Sequence, residues 1–371
     1  MRLSVYLICF LAFLTASGEL FLRLKGLDNP KFAFDWVYHP VLGHTGPYSE
    51  VVKRGKAENF YSELGFRSDW LKTPAPDHSL FTLMILGDSM TEANDIEREK
   101  TYVGTLQGLL KNKKPRIHTF ASSDYGTLDE ALALNKFKNS VQPSAVVLQF
   151  LGLNDFINNT LAYAEKNKAE SDFSRAYVIP ASSTESPSFF LGDLPLTYSS
   201  KVRSWWLAHS ALFRLYYARK TARIWEYAMV HGYPEQGCPG ELQLFLEEPD
   251  DGWKEGIEVT GRILKQIRAE AEKVPVLGVY FPSNIETDDK LWQEGIVPKL
   301  EHCFPGRKYG RHIGEKRFLG LASAAGLKAI SLWEAFKKAA PKRTEATLYI
   351  PGGHYSPAGH LVAAQEIAKH L

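Results

Sequence analysis

Phe81-Thr82-Leu83-Met84-Ile85-Leu86-Gly87-Asp88-Ser89-Met90-Thr91 is the stretch on which the reading of this chain turns. A short, nearly continuous apolar run that stops at a glycine is the pattern of a strand buried on both faces, as in a parallel sheet. Working outward, the same texture recurs at 117–121, 145–150, 274–281 and 327–330. Between these runs, 101–110 shows helical spacing at Tyr102, Leu106, Leu109 and Leu110. Residues 128–137 do the same, with Thr127 as N-cap, and 359–371 close the chain as a helix after Pro357. Strands alternating with helices predict an α/β fold, a three-layer αβα sandwich around a parallel sheet.

Ligands of such sheets bind beyond the carboxyl ends of the strands. Gly87 permits a tight turn there, and Ser89 can present its hydroxyl and its N–H to a cleft. The third strand leads into Gly152-Leu153-Asn154-Asp155, which brings a side-chain amide to the same rim. Near the C-terminus, Gly352-Gly353-His354-Tyr355-Ser356-Pro357 puts a histidine in a turn before the last helix. Serine, amide and imidazole on one rim can act as nucleophile, oxyanion donor and general base. No Cys/His zinc spacing, phosphate loop or dinucleotide fingerprint is present, so neither a metal nor another cofactor is expected.

In this order, the blocks resemble those of the SGNH/GDSL hydrolase superfamily, over about 79–155 and 274–371. The resemblance implies a flavodoxin-like sheet of strand order 2-1-3-4-5 and acyl-ester chemistry. It places Ser89 as nucleophile, His354 as base and Asn154 as oxyanion donor beside the Ser89 N–H. The second block, Phe120 to Thr127, sets Asp124 where the family has a glycine N–H; a shift of one or two residues selects Gly126 instead. The family's aspartate, two or three residues before the histidine, is missing: those positions are Gly352 and Pro351. Asp88 and Asp155 read as braces of the strand-end turns, with contact to the imidazole as the alternative for Asp88. Gly152 belongs to the third block, and His360 reads as a packed or capping histidine.

The 371 residues divide into 1–25, an irregular lead-in at 26–78, and a hydrolase-like domain at 79–371 with a large helical insertion at about 156–255. Met1-Arg2, the apolar run 3–14 and the small residues Thr15 to Gly18 read as a secretory signal, but apolarity resumes at Leu20. We read an uncleaved signal-anchor, with a cleaved signal framed by Ala16 and Gly18 as the alternative. Within the insertion, Pro180–Pro187 is polar and 205–227 is helical, with aromatics beside Arg214, Arg219, Lys220 and Arg223. That helix is expected to pack its aromatic face on the domain, with a membrane surface as the alternative. Lys111 to Lys114 read as a solvated helix end.

The 44 Lys and Arg nearly balance 42 Asp and Glu, which argues against a nucleic-acid binder held by bulk charge. Cys238 and Cys303, each near a Pro-Gly turn, either bridge in an oxidising compartment or remain free thiols. The expected protein is an extracytoplasmic, membrane-tethered esterase acting on acyl esters, acetyl above all, of an envelope glycan or lipid. An O-acyltransferase using the same Ser/His site, or a catalytically silent scaffold subunit with membrane-protein partners, are the alternatives; the missing aspartate favours the scaffold.

Overall fold

The computed structural model describes residues 2–32, 35–161, 175–179, 186–231, 238–340 and 348–371. Helix α1 (Arg2–Leu24) leads the chain. The hairpin β1 (Val37–His39) and β2 (Gly43–Thr45) follows, then an antiparallel sheet of β3 (Glu50–Arg54), β4 (Ala57–Tyr61) and β5 (Arg67–Ser68). The lead-in is therefore built from five short strands; its alternation is too brief to show as a period in the sequence.

The central sheet begins at β6 (Phe81–Gly87). Next come α2 (Ser89–Glu92), α3 (Tyr102–Leu109), β7 (Pro115–Ala121), α4 (Thr127–Val141), β8 (Ala145–Phe150) and α5 (Gly152–Asp155). The insertion holds a three-stranded antiparallel sheet, β9 (Ala176–Val178), β10 (Phe189–Leu191) and β11 (Leu194–Tyr198), besides helices α6 (Lys201–His209) and α7 (Ala211–His231). It is thus not purely helical. Of the polar stretch Pro180–Pro187, residues 180–185 lie outside the described residues. After α8 (Asp251–Ala271) come β12 (Val276–Tyr280), α9 (Asn284–Thr287), α10 (Val297–Cys303) and α11 (Ile313–Ala324). The chain ends with β13 (Lys328–Ser331), α12 (Trp333–Ala339) and α13 (Pro357–Ala368).

All five central strands run parallel in the spatial order β7-β6-β8-β12-β13. Counted along the chain this is the order 2-1-3-4-5, the flavodoxin-like topology expected above. Because β6 to β8 are buried along nearly their whole length, both pleat faces are apolar. Leu83, Ile85, Val147 and Val279 face α3 and α13; Met84, Leu86, Val146 and Leu148 face α4, α8 and α11. Gly87 pairs with Ala121, Leu86 with Leu148, and Phe150 with Tyr280, so the carboxyl ends align on one rim.

Three boundaries differ from expectation. Gly126, not Thr127, caps α4: its N–H donates to Asp129 Oδ2 at 2.9 Å, while Thr127 turns its hydroxyl to Asp155 Oδ1. The last helix starts at Pro357, capped by Ser356. The segment expected as one helix at 205–227 is two, broken at the extended Ser210. The Lys111–Lys113 turn is exposed. Cys238 and Cys303 are joined by a disulfide, Cα to Cα 5.5 Å.

Candidate active site

Ser89 opens α2 directly after β6. Asp88 caps this turn, its Oδ1 accepting from the Met90 N–H at 2.8 Å. A side chain at Gly87 would collide with Thr91 and Gln149, whose Oε1 accepts from the Asp88 N–H at 2.9 Å. That close approach lets the chain turn sharply enough to expose the serine.

His354 arrives from 265 residues away. Its loop is a hairpin between Tyr349 and Tyr355, with Gly352 and Gly353 at φ 94° and 86°, a conformation side chains resist. The Ile350 N–H donates to the His354 carbonyl, and the Tyr355 hydroxyl donates to Pro282 O just beyond β12. Held this way, His354 Nε2 lies 2.9 Å from Ser89 Oγ. Among the described residues, no acceptor meets its Nδ1. Gly352 and Pro351 are exposed and put no carboxylate behind the ring.

Asn154, on α5, donates from Nδ2 to Asp88 Oδ2 at 2.7 Å and to Tyr125 O at 3.2 Å. Asp88 is therefore tied to Asn154 and Met90 and makes no hydrogen bond to the imidazole. Asp155 accepts from the Leu151 N–H at 2.6 Å and from Thr127, a brace of the β8 exit. Asp124 sits at φ 70°, in the left-handed region that favours glycine, the residue its block leads one to expect. Neither its N–H nor that of Ser89 donates to an acceptor among the described residues. Its carboxylate accepts from Asn158 at 3.2 Å and lies 3.6 Å from Arg175. The Gly126 N–H donates to Asp129, whereas the Asp124 N–H meets no acceptor among the described residues. Gly152 opens α5 under Tyr280 and Leu244, which a side chain there would strike.

Beneath the rim lie four buried carboxyls, Asp88, Asp129, Glu130 and Asp155. Burial raises all four. Asp129 reaches about 6, with Arg175 pulling it back. Glu130 is pushed well above the carboxylate range by burial, then by the charges of Asp155 and Asp88, and neither of its oxygens has a hydrogen-bond partner among the described residues. Asp155 is pushed well above that range too, by burial and then by the charge of Asp88, but it accepts from Leu151 and Thr127, whereas nothing among the described residues donates to Glu130. His360 is buried and stacks on Tyr102 at 6.0 Å; burial lowers it to about 3. It is a packed histidine, as read from the sequence.

A cleft of about 340 Å³ opens over Ser89 and His354. Met90, Ile96, Ile350 and Tyr355 line it, together with two residues of the lead-in that no motif marks, Trp36 and Arg54. The lead-in also braces the Ser89 turn. Tyr61 donates to the Glu92 carboxylate at 2.8 Å, and Arg67 donates to the carbonyls of Glu92, Ala93 and Ile96.

No protein-family model matches the chain, and no curated protein does. Among solved structures the chain is similar to LAE5, an alpha/beta hydrolase enzyme from the metagenome of Lake Arreo, Spain, at 13% identity over 78% of this chain and 94% of that one, TM-score 0.39. It is similar to the acetyl xylan esterase AlAXEase at 13% identity, over 78% and 99% of the two chains, TM-score 0.38. With Axe2, an acetylxylan esterase from Geobacillus stearothermophilus, it shares 13% identity over 78% and 92%, TM-score 0.39.

Proposed function

We propose that this chain is a serine ester hydrolase of SGNH type, held at a membrane by α1 and working outside the cytoplasm. The observation that carries the chemistry is the 2.9 Å contact of His354 Nε2 with Ser89 Oγ at the mouth of a cleft. Ser89 Oγ attacks the ester carbonyl carbon as its proton passes to His354 Nε2, and the carbonyl π pair moves onto oxygen. The Ser89 and Asp124 N–H groups stand free to receive that oxyanion. Asn154 joins them by releasing its longer contact, to Tyr125 O, while Asp88 keeps hold of the other amide hydrogen. The tetrahedral centre collapses, the ester C–O bond breaks, and His354 returns the proton to the leaving alkoxide. Water then repeats the sequence on the acyl-serine; a sugar hydroxyl in its place makes the same site an O-acyltransferase.

The cleft has room for a short acyl group such as acetyl, and its mixed lining of Met90, Ile96, Tyr355 and Arg54 is compatible with an ester on an envelope glycan or a lipid. The Cys238–Cys303 bridge and the apolar α1 support an oxidising, extracytoplasmic setting. One observation favours a second reading. With no acid behind His354 Nδ1, a silent scaffold subunit retaining the fold is the competing assignment. The full chain in detergent micelles is assayed on short-chain acyl esters and labelled with a serine-directed phosphonate, with Ser89→Ala as control. Turnover and labelling that both vanish in Ser89→Ala are expected. A wild-type chain that neither hydrolyses nor labels overturns the enzyme reading.

A further inference from the structure

Helices α6 and α7 carry a surface that ester hydrolysis does not use. Helix α1 has a mean hydropathy of 2.0 over Val5–Leu24 and leaves Leu7, Phe10, Phe13, Leu20, Phe21 and Leu24 exposed. A carboxylate in such a helix needs partners away from hydrocarbon. Glu19 finds them at the start of α7: it accepts from the Ala211 N–H at 2.6 Å, the Leu212 N–H at 3.1 Å and the Ser210 hydroxyl at 3.1 Å. Arg23 donates to Glu19 and to the carbonyl of His209, both at 2.9 Å. The anion thus serves the N–H end of α7 and the cation the carbonyl end of α6. The junction of the two helices is bolted to the last turns of α1, with Leu212 seated against Gly18.

From that bolt an aromatic ridge runs outward. The His209 ring stacks on Trp205 at 4.7 Å, Trp205 meets Trp206 at 5.0 Å, Trp206 lies 6.2 Å from Phe213, and Phe213 lies 6.1 Å from Tyr216. Contrary to the expectation that the aromatic face packs on the domain, only part of it does: Tyr217 is buried with Phe32, Trp36 and Tyr38, whereas Trp205 is 54% exposed, Trp206 46% and Tyr216 60%. Exposed tryptophans beside an apolar span are side chains the headgroup zone accepts and bulk water does not. Three, four and seven residues after Tyr216, on the same helix face, come Arg219, Lys220 and Arg223, all exposed.

We propose that α6 and the first half of α7 rest on the bilayer surface as a second membrane contact. Trp205, Trp206 and Tyr216 enter the headgroup layer, and Arg219, Lys220 and Arg223 meet lipid phosphates. The proposal rests on α1 as a membrane span, part of the reading above, and not on the ester chemistry. Its consequence is a fixed posture: Tyr217 of α7 packs with Trp36, which lines the cleft, so the cleft is held close to the surface on which α6 lies.

The test reconstitutes the full chain in phosphatidylcholine vesicles containing a minor share of phosphatidylglycerol, brominated either just below the headgroups or near the chain ends. Helix α1 has no tryptophan, so the indole signal does not report the span itself. Shallow bromines are expected to quench the wild type more than deep ones do, and Trp205→Phe/Trp206→Phe is expected to lose most of that quenching. A double variant quenched like the wild type, in a chain that still resists an alkaline carbonate wash, overturns the platform and leaves the anchor standing. Release of the wild type by that wash removes the anchor and the platform together. Self-association in micelles that Trp205→Phe/Trp206→Phe abolishes would assign the ridge to a second copy of the chain and overturn the lipid contact.

Discussion

Glu130→Gln replaces a buried acid by its neutral isostere, and the structure makes its effect on stability depend on pH in a definite sense. Glu130 is fully buried against Asp155, Asp88 and Asp129, and among the described residues nothing donates to either of its oxygens. Its folded-state pKa is raised above the unfolded value of 4.5, first by burial and then by the neighbouring carboxylates. The folded chain therefore holds this proton more tightly than the unfolded chain. Stability from this group is fully present below about pH 4.5 and is lost as pH rises through the folded pKa. Across that window one extra proton in the folded state makes the slope about 1.4 kcal/mol per pH unit. Glutamine carries no such proton, so Glu130→Gln gains on the wild type by about that amount for each unit between 4.5 and the folded pKa, and no further above it. Below the window the two chains should differ by little more than an isosteric exchange. The assay is urea unfolding of both chains in micelles at several pH values, comparing midpoints at matched slopes. A difference that stays flat from acid to neutral pH, or a Gln variant losing ground as pH rises, would falsify the assignment of Glu130 as a neutral buried acid.

On the proposed mechanism Asn154→Ala removes an oxyanion donor and should lower kcat by roughly 100- to 1,000-fold with little change in KM, read in the ester assay; an unchanged kcat would exclude the amide from the oxyanion site. Cys303→Ser opens a loop closed over 65 residues and should cost about 4 kcal/mol on the chain-entropy estimate, measured as a lower unfolding midpoint that dithiothreitol no longer shifts. His44 is held down to about 3 by burial, with Arg175 adding to the effect, against an ordinary value of 6.5. A neutral buried histidine contributes stability that is intact above 6.5 and lost towards 3, so His44→Gln, which can still donate to Ser123 O, should make acid unfolding shallower by about one proton over that range.

Several parts of this molecule were legible one residue at a time. The strands of the central sheet announce themselves because a parallel strand buried on both faces must be apolar throughout, and the glycine that ends the first of them marks a local turn. Ser89, Asn154 and His354 each follow a strand end or a glycine turn, so their place on one rim could be argued before any coordinates. The α8 helix is legible in the same way, because Val259, Ile263, Ile267 and Ala271 recur every fourth residue and form its buried stripe among polar positions.

Other features depend on residues that meet only when the chain folds. The break at Ser210 is one in part: its hydroxyl caps α7 locally by accepting from the Phe213 N–H, but the N–H groups of Ala211 and Leu212 find their acceptor in Glu19, some 190 positions upstream. The cleft is another, since Trp36 and Arg54 sit in short strands without a motif and gain meaning only by lying over Ser89. The Gly126 N–H is a third, since its partner, the Asp129 carboxylate, is found only in the folded turn. By itself the sequence determined where the parallel strands lie, because burial writes itself into composition, and the residue types at the rim, while their order in the sheet was implied by the family resemblance. Tertiary structure alone decided which groups became partners, because a hydrogen bond or an ion pair forms across space and leaves no trace in the order of the residues that make it.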